Sequence, residues 1–596
     1  MTSVLKREDV PAQSKWNSES LFSGWDEWQA EFEAVSAKLP SLSDFEGTLT
    51  ESPDRLLEWF SFHEEMLTRL YHLSLYASTS FDVDTDDSEA QAKNGQTGSL
   101  WGQESALSAF AVPEMQSNID TLLQWATQDE RLSSFAHHFD DLQRIKRHTR
   151  SAEVEEVLGM LSDPFSNIWS TVGMLADSDL KFKPAVDSQG VEHPVIQSSM
   201  PTKDADREKR RTTWQNFSDG YLSFINTFAS NYITSVKQGV FNARVRGYES
   251  VLHSRLAPYN VPVEVFHNLM NTFAENLPVW HRYWAVKAKA IGVDKLRPWD
   301  IWAPNTPNAP NVTFEQSVDW ICDGMQPLGR DYVEVMRRGC LNDRWVDYAP
   351  NEAKGQGAHS SYAVDCMPFI VMSFDERLEG MSTLAHELGH SMHGYYMDLH
   401  QPLIYNFDIS MTVAETASNL NQAMTRAHLM EHGPQDRDFQ LALVQEAMTN
   451  FHRYFFIMPT LARFELEVFQ RAETGKPLNA DILNGIMRDL YAEGYGDTLE
   501  DDPERTGTTW AQFMHLYAPF YTFQYAIGIS AANALSADIL SGKSADHYLA
   551  FLQAGSSKYP LELFEMVGID MSTPEPIAKA YAVMEGIIDH FEQLVS

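Results

Sequence analysis

Two histidines four residues apart, His386 and His390, with Glu387 directly after the first, are the residues of this chain best suited to chemistry. They lie in Leu384-Ala385-His386-Glu387-Leu388-Gly389-His390-Ser391-Met392-His393. On a helix, a spacing of four puts both imidazoles on one face, one turn apart. Two imidazoles so placed can reach one tetrahedral zinc ion, and the adjacent glutamate can face the metal-bound water as a general base. With 20 histidines and 83 acidic residues among 596 positions, under about 0.1 His-acid-x-x-His patterns are expected by chance. The bland alternative is an exposed helix that happens to carry two histidines. It fits poorly, because Leu384, Leu388 and Tyr395 give the helix a buried face and Asp375 and Glu376 lend its start acidic character.

A catalytic zinc takes three protein ligands and keeps one position open. The metzincin pattern would need glycine at 393 and histidine at 396; His393 and Tyr396 stand there, which excludes it. The carboxylates on offer are Asp398, at the far end of the first helix, Asp408, in the connection after Pro402, and Glu415, on a second helix beginning near Ser410. Thr412-x-x-Glu415 is also a capping-box pattern, which needs no metal. His393 shares the face of His390, but three ligands from one helix splay poorly around a tetrahedron. It reads instead as a residue that supports a ligand or faces substrate.

The elements that must hold these groups are mostly helical. Apolar residues recur three and four apart, as in Leu56-Leu57, Phe60 and Leu67. The acidic run Asp82 to Asp87 reads as a solvated loop or helix end. Alternation at Leu180 to Val186, then Asp187-Ser188-Gln189-Gly190, then Val191 to Ile196 predicts a β-hairpin. A domain boundary is placed near 200, giving an N-terminal helical domain over 1–200 and a catalytic domain over 201–596. Residues 355–374 look extended, and Pro368 argues that Met367 to Phe374 is an edge strand.

Composition narrows the class. The formal net charge is −38, which repels phosphate backbones and anionic headgroups, so neither nucleic acid nor a membrane surface is expected as a partner. The three cysteines, Cys322, Cys340 and Cys366, cannot all pair within one chain and sit at no metal-ligand spacing. Together with a start that shows no signal-peptide core, this predicts a soluble cytoplasmic protein.

The segment His386 to His393, with its glycine and third histidine, resembles the extended zinc helix of the thimet oligopeptidase-like zinc peptidases and, within them, the oligoendopeptidase F branch. That family's zinc-binding glutamate lies 25 residues after the second histidine, which falls on Glu415. Gly357-Ala358 and Met367-Pro368-Phe369-Ile370 resemble its substrate-side strand, and His515 to Gly528 is similar to its histidine-tyrosine segment. The likeness covers most of the chain from about residue 120 onward. His359 and Ser360 depart from it, where an aromatic residue and a cysteine would be expected.

The resemblance implies a mainly α fold of two helical halves around a deep substrate channel, with a small β-sheet beside the zinc helix. It implies one Zn2+ held by His386, His390 and Glu415, with Glu387, His515 and Tyr521 catalytic and Gly357, His393 and Tyr525 contacting substrate. The expected reaction is hydrolysis of internal bonds of short unstructured peptides by Glu387-assisted attack of zinc-bound water. The peptide would enter as an added strand on the edge near 367–374. A carboxypeptidase on a similar scaffold and an inactive peptide-binding protein remain as rivals.

Overall fold

Capping and apolar periodicity together explain several of the helices. In α1 (Pro53–Val83), the Ser52 side chain accepts the Arg55 amide at 3.1 Å, proline opens the first turn, and Asp54 complements the helix dipole. Leu56, Phe60, Met66, Leu70 and Leu73 then form its buried face. The acidic run ends α1, and Asp87 caps α2 (Ser88–Ser108) by accepting the Glu89 and Ala90 amides. The structure is a computed structural model and describes residues 5–406 and 409–596. It is mainly helical, and among the described residues no helix is long and apolar enough to cross a membrane.

Two small sheets interrupt the helices. The expected hairpin is present, as β1 (Ala185–Val186) antiparallel to β2 (Glu192–His193), closed by a turn in which Gly190 has φ +80°. The second sheet has the order β3 (Val346–Asp347), β5 (Phe369–Val371), β4 (His359–Ser361). β3 runs parallel to β5, and β4 runs antiparallel to it with Ser360 opposite Ile370. This corrects the expectation of an edge near 367–374. Pro368 precedes the first residue of β5, so its missing N–H falls outside the ladder and the strand can be central. The edge strands are β3 and β4.

The chain forms two units, each assembled from separate stretches. The first comprises Met1–Arg147, Asn311–His428 and Asp538–Gly568; the second comprises His148–Pro310, Leu429–Ala537 and Ile569–Ser596. The boundary expected near 200 falls inside the second unit. The first unit has an apolar core built on Trp28, Leu56, Trp59, Leu70 and Leu73, which Phe369 and Val371 of β5 join. It also holds α3 (Leu378–Asp398), most of α4 (Met411–His432) and α7 (Asp546–Ala554). β4, β5 and α7 all pack against α3. In the second unit, α5 (Met458–Glu473) and most of α6 (Phe523–Leu540) accompany an aromatic cluster of Trp280, Trp284, His452 and Phe456.

Candidate metal centre

α3 carries His386, Glu387 and His390, and α4 carries Glu415. The two helices meet at Gly389. A Cβ at this position would lie 2.5 Å from both the Ala417 carbonyl oxygen and Ser418 Cα, so only glycine allows this approach. The contact brings α4 against the turn of α3 that carries the histidines. One ligand atom each of His386, His390 and Glu415 then lies within 4.8 Å of the others.

Neighbours fix each of these groups. The Gln422 amide nitrogen donates to Ser382 Oγ at 2.8 Å and to the Ser382 carbonyl at 3.2 Å. Its oxygen therefore faces His386, whose Nδ1–H donates to it at 3.1 Å. That leaves the lone pair on His386 Nε2, which stands 3.6 Å from Glu415 Oε2. Ser418 Oγ and Asn419 Nδ2 both donate to Glu415 Oε2 at 3.2 Å. Burial pushes the His390 pKa well below its ordinary value, with His386 and His393 adding to the effect, so this ring stays neutral and able to ligate.

This donor set fits zinc. Two imidazoles and a carboxylate are one of its established catalytic ligand sets, and tetrahedral ligands about 2.1 Å from one ion stand about 3.4 Å apart. Glu387 is 6% exposed. Burial raises its carboxyl pKa, opposed by His386 and by a hydrogen bond from the Ser360 backbone amide. The Ser360 and Ser391 hydroxyls meet at 2.8 Å, tying β4 to the turn of α3 that follows Glu387. His359, next on β4, pairs with Asp82 of α1 at 3.3 Å, and that hydrogen bond raises the imidazole pKa.

The remaining candidates fall as follows. Asp398 accepts the Asp365 amide at 3.1 Å, at the other end of α3, and takes no part in the cluster. Asp408 lies outside the described residues. Thr412 is not the cap of α4: the Ser410 carbonyl accepts the first helical amides, from Val413 and Ala414, and Thr412 already lies within the helix. Glu415 is thus released from a capping box. Gly357 precedes β4 with φ +87°, a conformation that favours glycine. His393 is 2% exposed and stacks on Phe551 of α7, with its Nε2 lacking a hydrogen-bond partner; burial lowers its pKa to about 4. α7 covers the flank of α3 from which it projects.

His515, Tyr521 and Tyr525 belong to the second unit, where they form one cluster. Ring centroids are 6.1 Å apart for His515 and Tyr521, 6.0 Å for His515 and Tyr525, and 5.6 Å for the two tyrosines. Burial lowers the His515 pKa to about 4, so the ring is neutral at ordinary pH.

The profile of Peptidase family M3 matches residues 200–583, and that of Oligopeptidase F matches residues 115–182. The chain belongs to peptidase family M3. Members of the family are zinc metallopeptidases, and this M3 peptidase is an enzyme that hydrolyses peptide bonds, of the oligopeptidase F type. It is 33% identical to oligopeptidase PepF of Bacillus subtilis, over 99% of this chain and 88% of that protein. It is 28% identical to the group B oligopeptidase PepB of Streptococcus agalactiae, over 99% and 98%. The crystal structure of oligoendopeptidase-F from Enterococcus faecium superposes with a TM-score of 0.73 at 25% identity, covering 96% of this chain and 99% of that one.

Gln422, Ser418, Asn419 and Ser360 were not read from the sequence. Gln422 had one available signal, its position seven residues after Glu415 on the same helix face. Replacing Gln422 by alanine is expected to weaken zinc binding by about 10–100-fold while the fold is retained. Competition titration against a chromogenic chelator, with circular dichroism as the control, measures both. Unchanged affinity would remove Gln422 from the centre.

Proposed function

We propose that this M3 peptidase is an endopeptidase of short, unstructured oligopeptides that holds one Zn2+ through His386, His390 and Glu415. The convergence of those three ligand atoms beside Glu387 carries the reading. When bound there, zinc supplies a Lewis acid that polarises the scissile carbonyl and makes water nucleophilic near neutral pH.

Glu387 takes the proton of the attacking water and returns it to the departing amine nitrogen. Its burial supports this, because a carboxyl raised above its ordinary range both accepts and releases a proton more readily near neutrality. The Ser360 amide aims it. The outer side of β4, one edge of its sheet, offers backbone groups on which a peptide adds as a further strand. An extended chain pairs there and a folded one does not, which favours unstructured substrates. Gly357, without a side chain, permits close backbone approach next to that edge.

By resemblance, the Tyr521 hydroxyl and the neutral His515 ring donate to the oxyanion that develops on the carbonyl oxygen, and Tyr525 contacts substrate. Their mutual clustering supports a shared task. The acidic surface and the free thiols Cys322, Cys340 and Cys366 favour a cytoplasmic enzyme with peptides, not nucleic acid or membranes, as partners.

Chelation should abolish peptide hydrolysis, and one equivalent of zinc per chain should restore it. Metal analysis alongside the activity assay measures the stoichiometry. Activity that survives complete metal removal, or restoration that needs two ions, would contradict the proposal.

A further inference from the structure

The turn that carries Tyr521 is held by a carboxyl side chain with no role in the reading above. Phe520, immediately before Tyr521, has φ +54°, a left-handed conformation disfavoured for a bulky residue. Its ring is buried against Phe266 and Phe469, with centroids 5.5 and 5.2 Å away. The Phe520 backbone N–H donates to Glu465 Oε1 at 2.7 Å, and the Thr522 hydroxyl donates to Glu465 Oε2 at 2.9 Å. Both oxygens of one side chain are therefore committed, one on each side of Tyr521.

Glu465 lies on α5, and both it and Thr522 are completely buried. A carboxyl in such a place is destabilising unless its hydrogen bonds repay the loss of water, whereas a methionine or leucine would fill the volume without that penalty. Burial pushes the Glu465 carboxyl up to about 8, opposed by its two hydrogen bonds and by Arg255. Core packing gives no reason for a carboxyl here. The two bonds to a strained turn do, since such backbone persists only where the surroundings over-determine it.

We infer that Glu465 is a positioning residue for the reaction: it holds the chain on both sides of Tyr521, through the Phe520 backbone amide and the Thr522 side-chain hydroxyl, and so fixes where the Tyr521 hydroxyl points. The inference rests on the reading of Tyr521 as an oxyanion donor. Misplacing a donor by about 1 Å can lower the rate of the chemical step by about 100-fold while leaving ground-state binding nearly intact.

The test uses the full-length zinc-loaded enzyme, assayed for kcat and KM on one internally quenched peptide. Variants are Tyr521→Phe, Glu465→Met, Glu465→Gln, Thr522→Val and the double change Glu465→Met with Tyr521→Phe. Glu465→Met keeps the volume but accepts neither bond, and should lower kcat about 10–100-fold with KM within about threefold. Glu465→Gln keeps a carbonyl for the Phe520 amide and a polar group for Thr522, and should restore most of that loss. The double variant should be no slower than Tyr521→Phe alone, because a clamp has nothing left to aim once the hydroxyl is gone.

Tyr521→Phe slowing the enzyme while Glu465→Met does not would overturn the positioning role and leave the oxyanion reading intact. Losses that multiply in the double variant, or Glu465→Gln as slow as Glu465→Met, would overturn it as well. If Tyr521→Phe leaves kcat unchanged, the oxyanion reading falls and takes this inference with it. Should Glu465→Met fail to fold by circular dichroism, Thr522→Val removes one arm of the clamp without changing shape. It should then lower kcat and show no further loss when combined with Tyr521→Phe; an unchanged kcat would overturn the proposal.

Discussion

Glu387→Gln should keep its zinc and lose nearly all turnover. The three atoms that converge belong to His386, His390 and Glu415, so the substitution leaves the donor set whole. Glutamine has almost the volume of glutamate, and its carbonyl can still accept the Ser360 amide that orients the side chain. It cannot accept a proton from water or carry one to the leaving nitrogen. Loss of a general acid–base typically costs about 10²–10⁴ in rate, and one group serving both proton transfers places this enzyme at the upper end. Metal content by mass spectrometry and kcat on a quenched peptide give the two readouts. An empty site, or activity within about tenfold of the unmodified enzyme, would remove Glu387 from the role of base.

Glu415→Ala has the second largest expected effect, on metal affinity. It takes away the sole carboxylate of the set and leaves two imidazoles on one helix. The loss should exceed the about 10–100-fold expected for an outer partner such as Gln422. Thr412→Ala is the informative control. If Thr412 and Glu415 formed a capping box, each change would cost about 0.5–2 kcal/mol of helix stability and neither would touch the metal. Thr412 lies inside α4 with its hydroxyl 2.8 Å from Ser410 Oγ, and the Glu415 carboxylate is held by Ser418 and Asn419 facing His386. The expected result is therefore a large loss of affinity for Glu415→Ala and none for Thr412→Ala. Equal affinities in a zinc titration would return Glu415 to a structural role.

The comparison of these two residues shows where sequence reading stops. His386, Glu387 and His390 were legible because helical periodicity alone puts them on one face. Glu415 was not legible from spacing, which left Asp398 and Asp408 beside it. What brings Glu415 to the histidines is the backbone contact at Gly389, and a glycine inside a helical pattern announces a close approach without saying to what. The contacts of Ser360 with Ser391 and of Asp82 with His359 were not legible for the same reason: each forms through tertiary packing, which leaves no period in the chain. The misplaced edge strand came from reading Pro368 as part of a strand that begins one residue later. The two units, each gathered from three stretches, have no counterpart in local composition, so a linear reading finds only a change of pattern near 200. Helical content, the hairpin at 185–193 and the helix break at the acidic run 82–87 depend on near neighbours and were legible in the sequence.

The most direct test of the endopeptidase assignment is mass spectrometry of one mixed set of unstructured peptides after digestion by the zinc-loaded enzyme. Capture of an extended chain along β4, with no group invoked to hold a free terminus, predicts products cut at internal bonds, and the same cuts when the substrate termini are acetylated and amidated. Products shortened only from the C-terminus, and none at all from the amidated peptides, would show instead an enzyme that reads a free carboxylate and would contradict the account.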